Sequence, residues 1–77
     1  MPTVLLIDGF RFFFYSNEHL PRHVQVEFAE GVVKFSLEPV ALIKSKRLSS
    51  KEIRKMRTFI VQYQEILIEK WDEYFNR

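Results

Sequence analysis

No cysteine occurs in this sequence. Disulfides and thiolate-ligated zinc are therefore excluded, and nothing staples the chain covalently. That suits a reducing compartment. Glycine is scarce too: Gly9 and Gly31 are the only two, and each reads as a turn residue. No glycine-rich loop is left to cradle a phosphate. Long hydrophobic runs are also missing. Asp8 and Arg11 interrupt the first apolar stretch, which lacks the basic start of a secretory signal. Nothing approaches the roughly 18 apolar residues of a membrane-spanning helix. The expectation is a cytoplasmic protein with no membrane partner.

What the chain has instead is rings. Aromatic residues are 16% of its 77 positions, led by eight phenylalanines. A domain this short buries only about 60% of the surface its unfolded chain exposes, so it needs a dense core, a staple or a partner. The hydrophobic share of 47% is ordinary for a globular protein and argues against disorder. Without linkers or repeats, residues 1–77 read as one domain, with a sheet half over 1–43 and a helical half over 49–76.

The sheet half shows period two. Thr3–Ile7 is β-branched and aliphatic and runs into Asp8-Gly9, a strong hairpin signal because both turn positions tolerate positive φ. Phe10–Tyr15 is aromatic on both faces: Phe12 and Phe14 oppose Phe13 and Tyr15. One set must find cover beyond a single core, from the helices or from a second chain. Residues 16–21 form a loop. In His23–Phe28, Val24, Val26 and Phe28 alternate with His23, Gln25 and Glu27, and a fourth strand sets Val33, Phe35 and Leu37 against Lys34, Ser36 and Glu38. Val40–Ile43 reads as a short fifth strand, with one helical turn as the alternative.

The helical half opens on Ser49-Ser50-Lys51-Glu52, a capping box flanked by Leu48 and Ile53 at staple positions. From there Ile53, Met56, Ile60, Tyr63, Leu67, Trp71 and Tyr74 recur at three- and four-residue spacing. An unbroken helix from Ser50 to Phe75 would span about 39 Å, against about 20 Å for a six-residue strand. Either it overhangs the sheet or it breaks near Gln62-Tyr63-Gln64 and folds back. The fold class is α+β: four or five mostly antiparallel strands, then an amphipathic C-terminal helix, whole or in two pieces.

Charge is unevenly spread. Between Lys44 and Arg57 lie seven basic residues (Lys44, Lys46, Arg47, Lys51, Arg54, Lys55, Arg57) and one acid, Glu52. That is +6 in a chain whose total is +2, so the rest sums to −4. A solvated helix face is the plain reading. Against it, cations near a helix N-terminus oppose the helix dipole, and a local rule broken without compensation hints at function. The partner suggested is a nucleic-acid backbone, RNA or DNA, or an acidic protein surface. No motif of an established DNA-binding fold is present. The ring-rich second strand adds a second candidate surface, either a base-stacking platform or a protein interface.

Met-Pro-Thr-Val-Leu, Ile-Asp-Gly-Phe-Arg-Phe-Phe-Phe-Tyr-Ser-Asn-Glu and Pro-Arg-His-Val-Gln-Val-Glu, followed by Lys-Phe-Ser-Leu-Glu-Pro-Val, the Ser-Ser-Lys-Glu helix start and the terminal Trp-Asp-Glu-Tyr-Phe, resemble a known pattern. The chain is similar over essentially its whole length to the small prokaryotic family DUF4160, a domain of unknown function. Genes of that family often sit beside another small gene, as toxin–antitoxin pairs do. The resemblance thus implies a small protein partner encoded nearby, or self-association. The family commonly carries His-x-His in its third strand after Pro-Pro. Here Arg22 replaces the second proline and Gln25 the second histidine, so a paired-imidazole site is incomplete.

His19 and His23 fit no metal-ligand spacing, and neither metal nor cofactor is expected. His23 with Glu27 and Arg22 forms a candidate acid–base and phosphate-clamp set for RNA cleavage. No nucleophile motif accompanies it. The expected function is therefore a non-enzymatic interaction module of a two-gene pair, with a small metal-independent ribonuclease toxin as the alternative.

Overall fold

The computed structural model describes residues 3–15 and 19–75. Five strands precede two helices: β1 (Thr3–Ile7), β2 (Phe10–Phe13), β3 (His23–Phe28), β4 (Gly31–Leu37), β5 (Val40–Lys46), α1 (Ser50–Gln62) and α2 (Gln64–Tyr74). The strands pair antiparallel in chain order, β1-β2-β3-β4-β5. This is the expected α+β arrangement, and the fifth strand runs on to Lys46, further than the sequence suggested. Of the expected loop over 16–21, residues 16–18 lie outside the described residues, as does residue 76 of the helical half.

Asp8 and Gly9 turn β1 into β2 with φ of 52° and 84°, the positive pair a two-residue hairpin uses. Gly31 is needed for another reason than a turn. A Cβ there would lie 2.5 Å from the Arg47 carbonyl oxygen and from Leu48 Cγ. Glycine lets the connection between β5 and α1 pack directly on β4.

Alternation sends Phe10 and Phe12 of β2, then Phe14, toward the helices, where they join Val24, Val26, Val33, Phe35 and Leu37. Met56 and Ile60 of α1 and Leu67 and Trp71 of α2 complete this core. Its rings make specific contacts: Phe10 stacks on Phe28 at 4.4 Å, and Phe14 meets Trp71 edge-on at 5.3 Å. Burying each such side chain contributes about 1.5–3 kcal/mol.

The capping box is formed as read: the Glu52 amide donates to Ser49 Oγ at 3.1 Å, and the Ser49 amide to Glu52 Oε1 at 2.9 Å. The helix breaks at Tyr63, where φ is −108° and ψ 21°, within the stretch expected. It does not fold back. The Tyr63 amide donates to the Phe59 carbonyl and the Leu67 amide to the Tyr63 carbonyl, both at 2.9 Å. Helical bonding thus brackets a one-residue joint, whereas antiparallel helices need a loop of about 2–5 residues. The apolar stripe stays in phase across the joint, so both helices bury the same face. Gln64 Nε2 donates to the Leu37 carbonyl at 2.6 Å, pinning the start of α2 to the end of β4.

Candidate functional site

The sheet face away from the helices is assembled in rows by the strand register. Phe13, Gln25, Lys34 and Lys44 are successive cross-strand partners from β2 to β5, and Arg11, Glu27, Val32 and Lys46 form the adjacent row. Lys34 therefore stands directly opposite Lys44. Like charges in that relation are destabilising.

A bulge produces this juxtaposition. In β5, Val40 and Leu42 pair with the inward residues Leu37 and Phe35, and strict alternation would send Lys44 and Lys46 inward as well. The register shifts between Lys34 and Phe35, and Ile43 is the residue left without a partner. One extra residue reverses the facing of all that follow it. Lys44 and Lys46 thereby join Lys34 on the open face, and Ser45 takes the inward position beside Val33.

Two shallow depressions of about 310 and 350 Å³ lie on this face. The first is bordered by Arg11, Phe13, Glu27, Glu30 and Arg47, the second by Gln25, Lys34 and Lys44; Tyr15, Val32 and Lys46 belong to both. They form one groove with five cations and two acids on its walls. Phe13 is sealed at 2% exposure. The Arg11 guanidinium lies 4.2 Å above its ring and Tyr15 meets it edge-on at 5.4 Å. Glu27 at 2.7 Å and Thr3 Oγ1 at 2.9 Å hold Arg11 there. Of the second set of rings, Phe13 is thus covered by the chain's own side chains, whereas Tyr15 stays exposed.

Gln25 forms part of the groove floor. It is 5% exposed, and its Oε1 has no hydrogen-bond partner among the described residues.

Across residues 9–72 the chain matches the family described as Domain of unknown function (DUF4160). It belongs to that family. No curated protein and no solved structure matches it. The DUF4160 match takes in β2 to β5, α1 and most of α2, and so every residue that lines the groove.

The basic run of this DUF4160 chain is divided between two faces. Lys44, Lys46 and Arg47 border the open-face groove. Arg47 holds a φ of 61°, a left-handed conformation that non-glycine residues rarely adopt. Lys51 and Arg54 are exposed on α1, across the sheet. Lys55 Nζ lies 5.7 Å from the Phe10 ring, while Arg57 lies 5.3 Å over Phe35 and donates to the Val40 carbonyl at 3.3 Å. Those two cations border the core.

The candidate acid–base set does not converge. His23 is 5% exposed, its ring 5.0 Å from Trp71 and its Nδ1 2.8 Å from the Pro21 carbonyl oxygen. Glu27 is held by Arg11. Arg22 pairs with Asp72 at 2.8 Å and Glu38 at 3.3 Å, and its hydrogen bond to Asp72 raises its pKa above the ordinary arginine value. Four residues of strand also put about 13 Å between His23 and Glu27. His19 is exposed. No cluster of three or more metal-ligating residues occurs among the described residues, and no helix among them is long and apolar enough to cross a membrane.

Proposed function

We propose that this domain is a non-catalytic binding module whose open sheet face takes the phosphate backbone of a single-stranded nucleic acid. The carrying observation is the cross-strand pair of Lys34 and Lys44, with Lys46 beside it. Three ammonium groups gathered by a bulge raise the local potential, and a phosphate chain relieves the repulsion. Tyr15, 43% exposed at the groove's centre, supplies a ring for base stacking of the kind single-strand binders use.

Fluorescence anisotropy with a labelled RNA decamer supplies the test. Affinity should fall with salt at a log–log slope near −0.7 per contacted phosphate. Reversing Lys44 and Lys46 to glutamate should abolish binding, and reversing Lys51 and Arg54 on α1 should leave most of it. Absence of binding by RNA and DNA at low salt, or the opposite ranking of the two variants, would refute the reading.

As part of the same proposal, the domain works in a two-gene pair with a small protein partner. Exposed Val61 and Ile66 on the helices, and Leu42 and Ile43 on edge strand β5, leave apolar surface for such a contact. Co-expression with the neighbouring gene followed by sedimentation should give a heteromeric or self-associated species. A lone monomer across micromolar concentrations would remove this part.

A further inference from the structure

We infer that the outer face of the two helices is a self-pairing surface, on which a second copy of this chain docks antiparallel about a two-fold axis beside Gln62. The inference stands apart from open-face binding, since it concerns the opposite side of the sheet. It gives the exposed apolar residues of α1 and α2 to that second copy.

The charges of the helices are sorted end to end. α1 carries four cations and one acid, and α2 carries four acids and one cation. On the exposed side stand Lys51, Arg54 and Lys55 in the first half, then Glu65, Glu69 and Glu73 in the second. None of these six joins an ion pair among the described residues. That order breaks two rules of an isolated helix. Lys51 stands at the N-terminus of α1 and Glu73 at the C-terminus of α2, each against the helix dipole. Glu65, Glu69 and Glu73 follow at four-residue spacing, as do Lys51 and Lys55, and like charges so spaced repel.

An antiparallel second copy satisfies both halves at once, because a two-fold contact presents the same surface in reverse order. With the axis beside Gln62, Glu73 of the second copy falls between Lys51 and Arg54, and its Glu69 falls beside Lys55. Val61 and Ile66, 57% and 42% exposed, then meet at the middle. An apolar centre inside a polar rim is the usual anatomy of a protein interface. A partner of one charge sign would satisfy one half of the stripe and be repelled by the other. From Lys51 to Glu73 the stripe runs about 33 Å at 1.5 Å per residue, and the longest dimension of the molecule is 36 Å. The contact would thus extend along nearly the whole molecule.

Sedimentation equilibrium of the intact chain alone, at low salt, should show monomer and dimer across micromolar concentrations. Lys51→Glu with Arg54→Glu makes the stripe largely acidic, and Glu69→Lys with Glu73→Lys makes it largely basic. Each pair of changes should weaken dimerisation by more than about tenfold, since every reversal acts twice about the axis. Both variants should stay folded by circular dichroism, because exposed charges contribute little to stability. Mixing the two should restore a dimer of parental strength, with acid facing base along the full stripe. Under the open-face reading the Lys51 and Arg54 variant keeps most of its RNA binding, so the two claims fail separately. A parent that stays monomeric at low salt, a variant that dimerises like the parent, or a mixture that fails to associate overturns the inference.

Discussion

Lys34 and Lys44 face each other across β4 and β5, so exchanging one of them for an acid changes stability and binding in opposite directions. Directly opposed residues have Cβ atoms about 4.5–5.5 Å apart. At an ammonium separation on the order of 6 Å, the repulsion is about 0.7 kcal/mol in bulk water and a few-fold more at a protein-like dielectric. Cross-strand pairs at surfaces are worth about 0.2–1 kcal/mol. Lys44→Glu turns repulsion into attraction and sets the new carboxylate beside Lys46 as well, a gain of about 1 kcal/mol. For a domain of this size that shifts the melting temperature by about 4–8 °C. A thermal melt followed by circular dichroism, at low and high salt, should show the rise and its loss as screening sets in. The same variant should bind RNA more weakly. A melting temperature that stays level or falls, with binding retained, would refute the reasoning that these lysines are held together for an anionic ligand.

Ser49→Ala should destabilise the domain by about 1 kcal/mol in denaturant melts, since it removes the formed cap of α1. Gly31→Ala should cost about 1–3 kcal/mol through overpacking, because its Cβ meets the Arg47 carbonyl and Leu48 at 2.5 Å; a neutral result would mean the β5–α1 connection can move aside. Gln64→Ala should cost about 1–3 kcal/mol by leaving the Leu37 carbonyl unsatisfied, read as a lower urea midpoint with an unchanged slope.

The elements and the core were legible because their signals are local and periodic. Asp8-Gly9 fixed the first turn, the capping box fixed the start of α1, and the apolar stripe identified its buried face. A break near Gln62-Tyr63-Gln64 was legible only as one of two alternatives, and the fold-back attached to it does not occur, because helical bonding resumes after one residue. The candidate site was only half legible. Lys44, Lys46 and Arg47 stood out as part of a basic run, yet the run was joined to α1 cations that the fold places on the other side of the sheet. Ile43 carries no sign that it will be a bulge, and without the bulge the facing of Lys44 and Lys46 reads the wrong way. Lys34 lay outside the run, although its alternation with Val33 and Phe35 already put it on the polar face. His23 shows the opposite error. Alternation set it beside Gln25 and Glu27, but it is buried against Trp71, so His23→Ala would disturb packing and would not discriminate an enzyme from a binding module.

The most direct test of open-face binding is a titration of the isotopically labelled domain with an RNA decamer, followed by amide chemical shifts. The largest changes should map to Phe13, Gln25, Lys34, Lys44 and Lys46, with Lys51 and Arg54 on α1 nearly unmoved. Changes concentrated on α1, or none at low salt, would contradict the account.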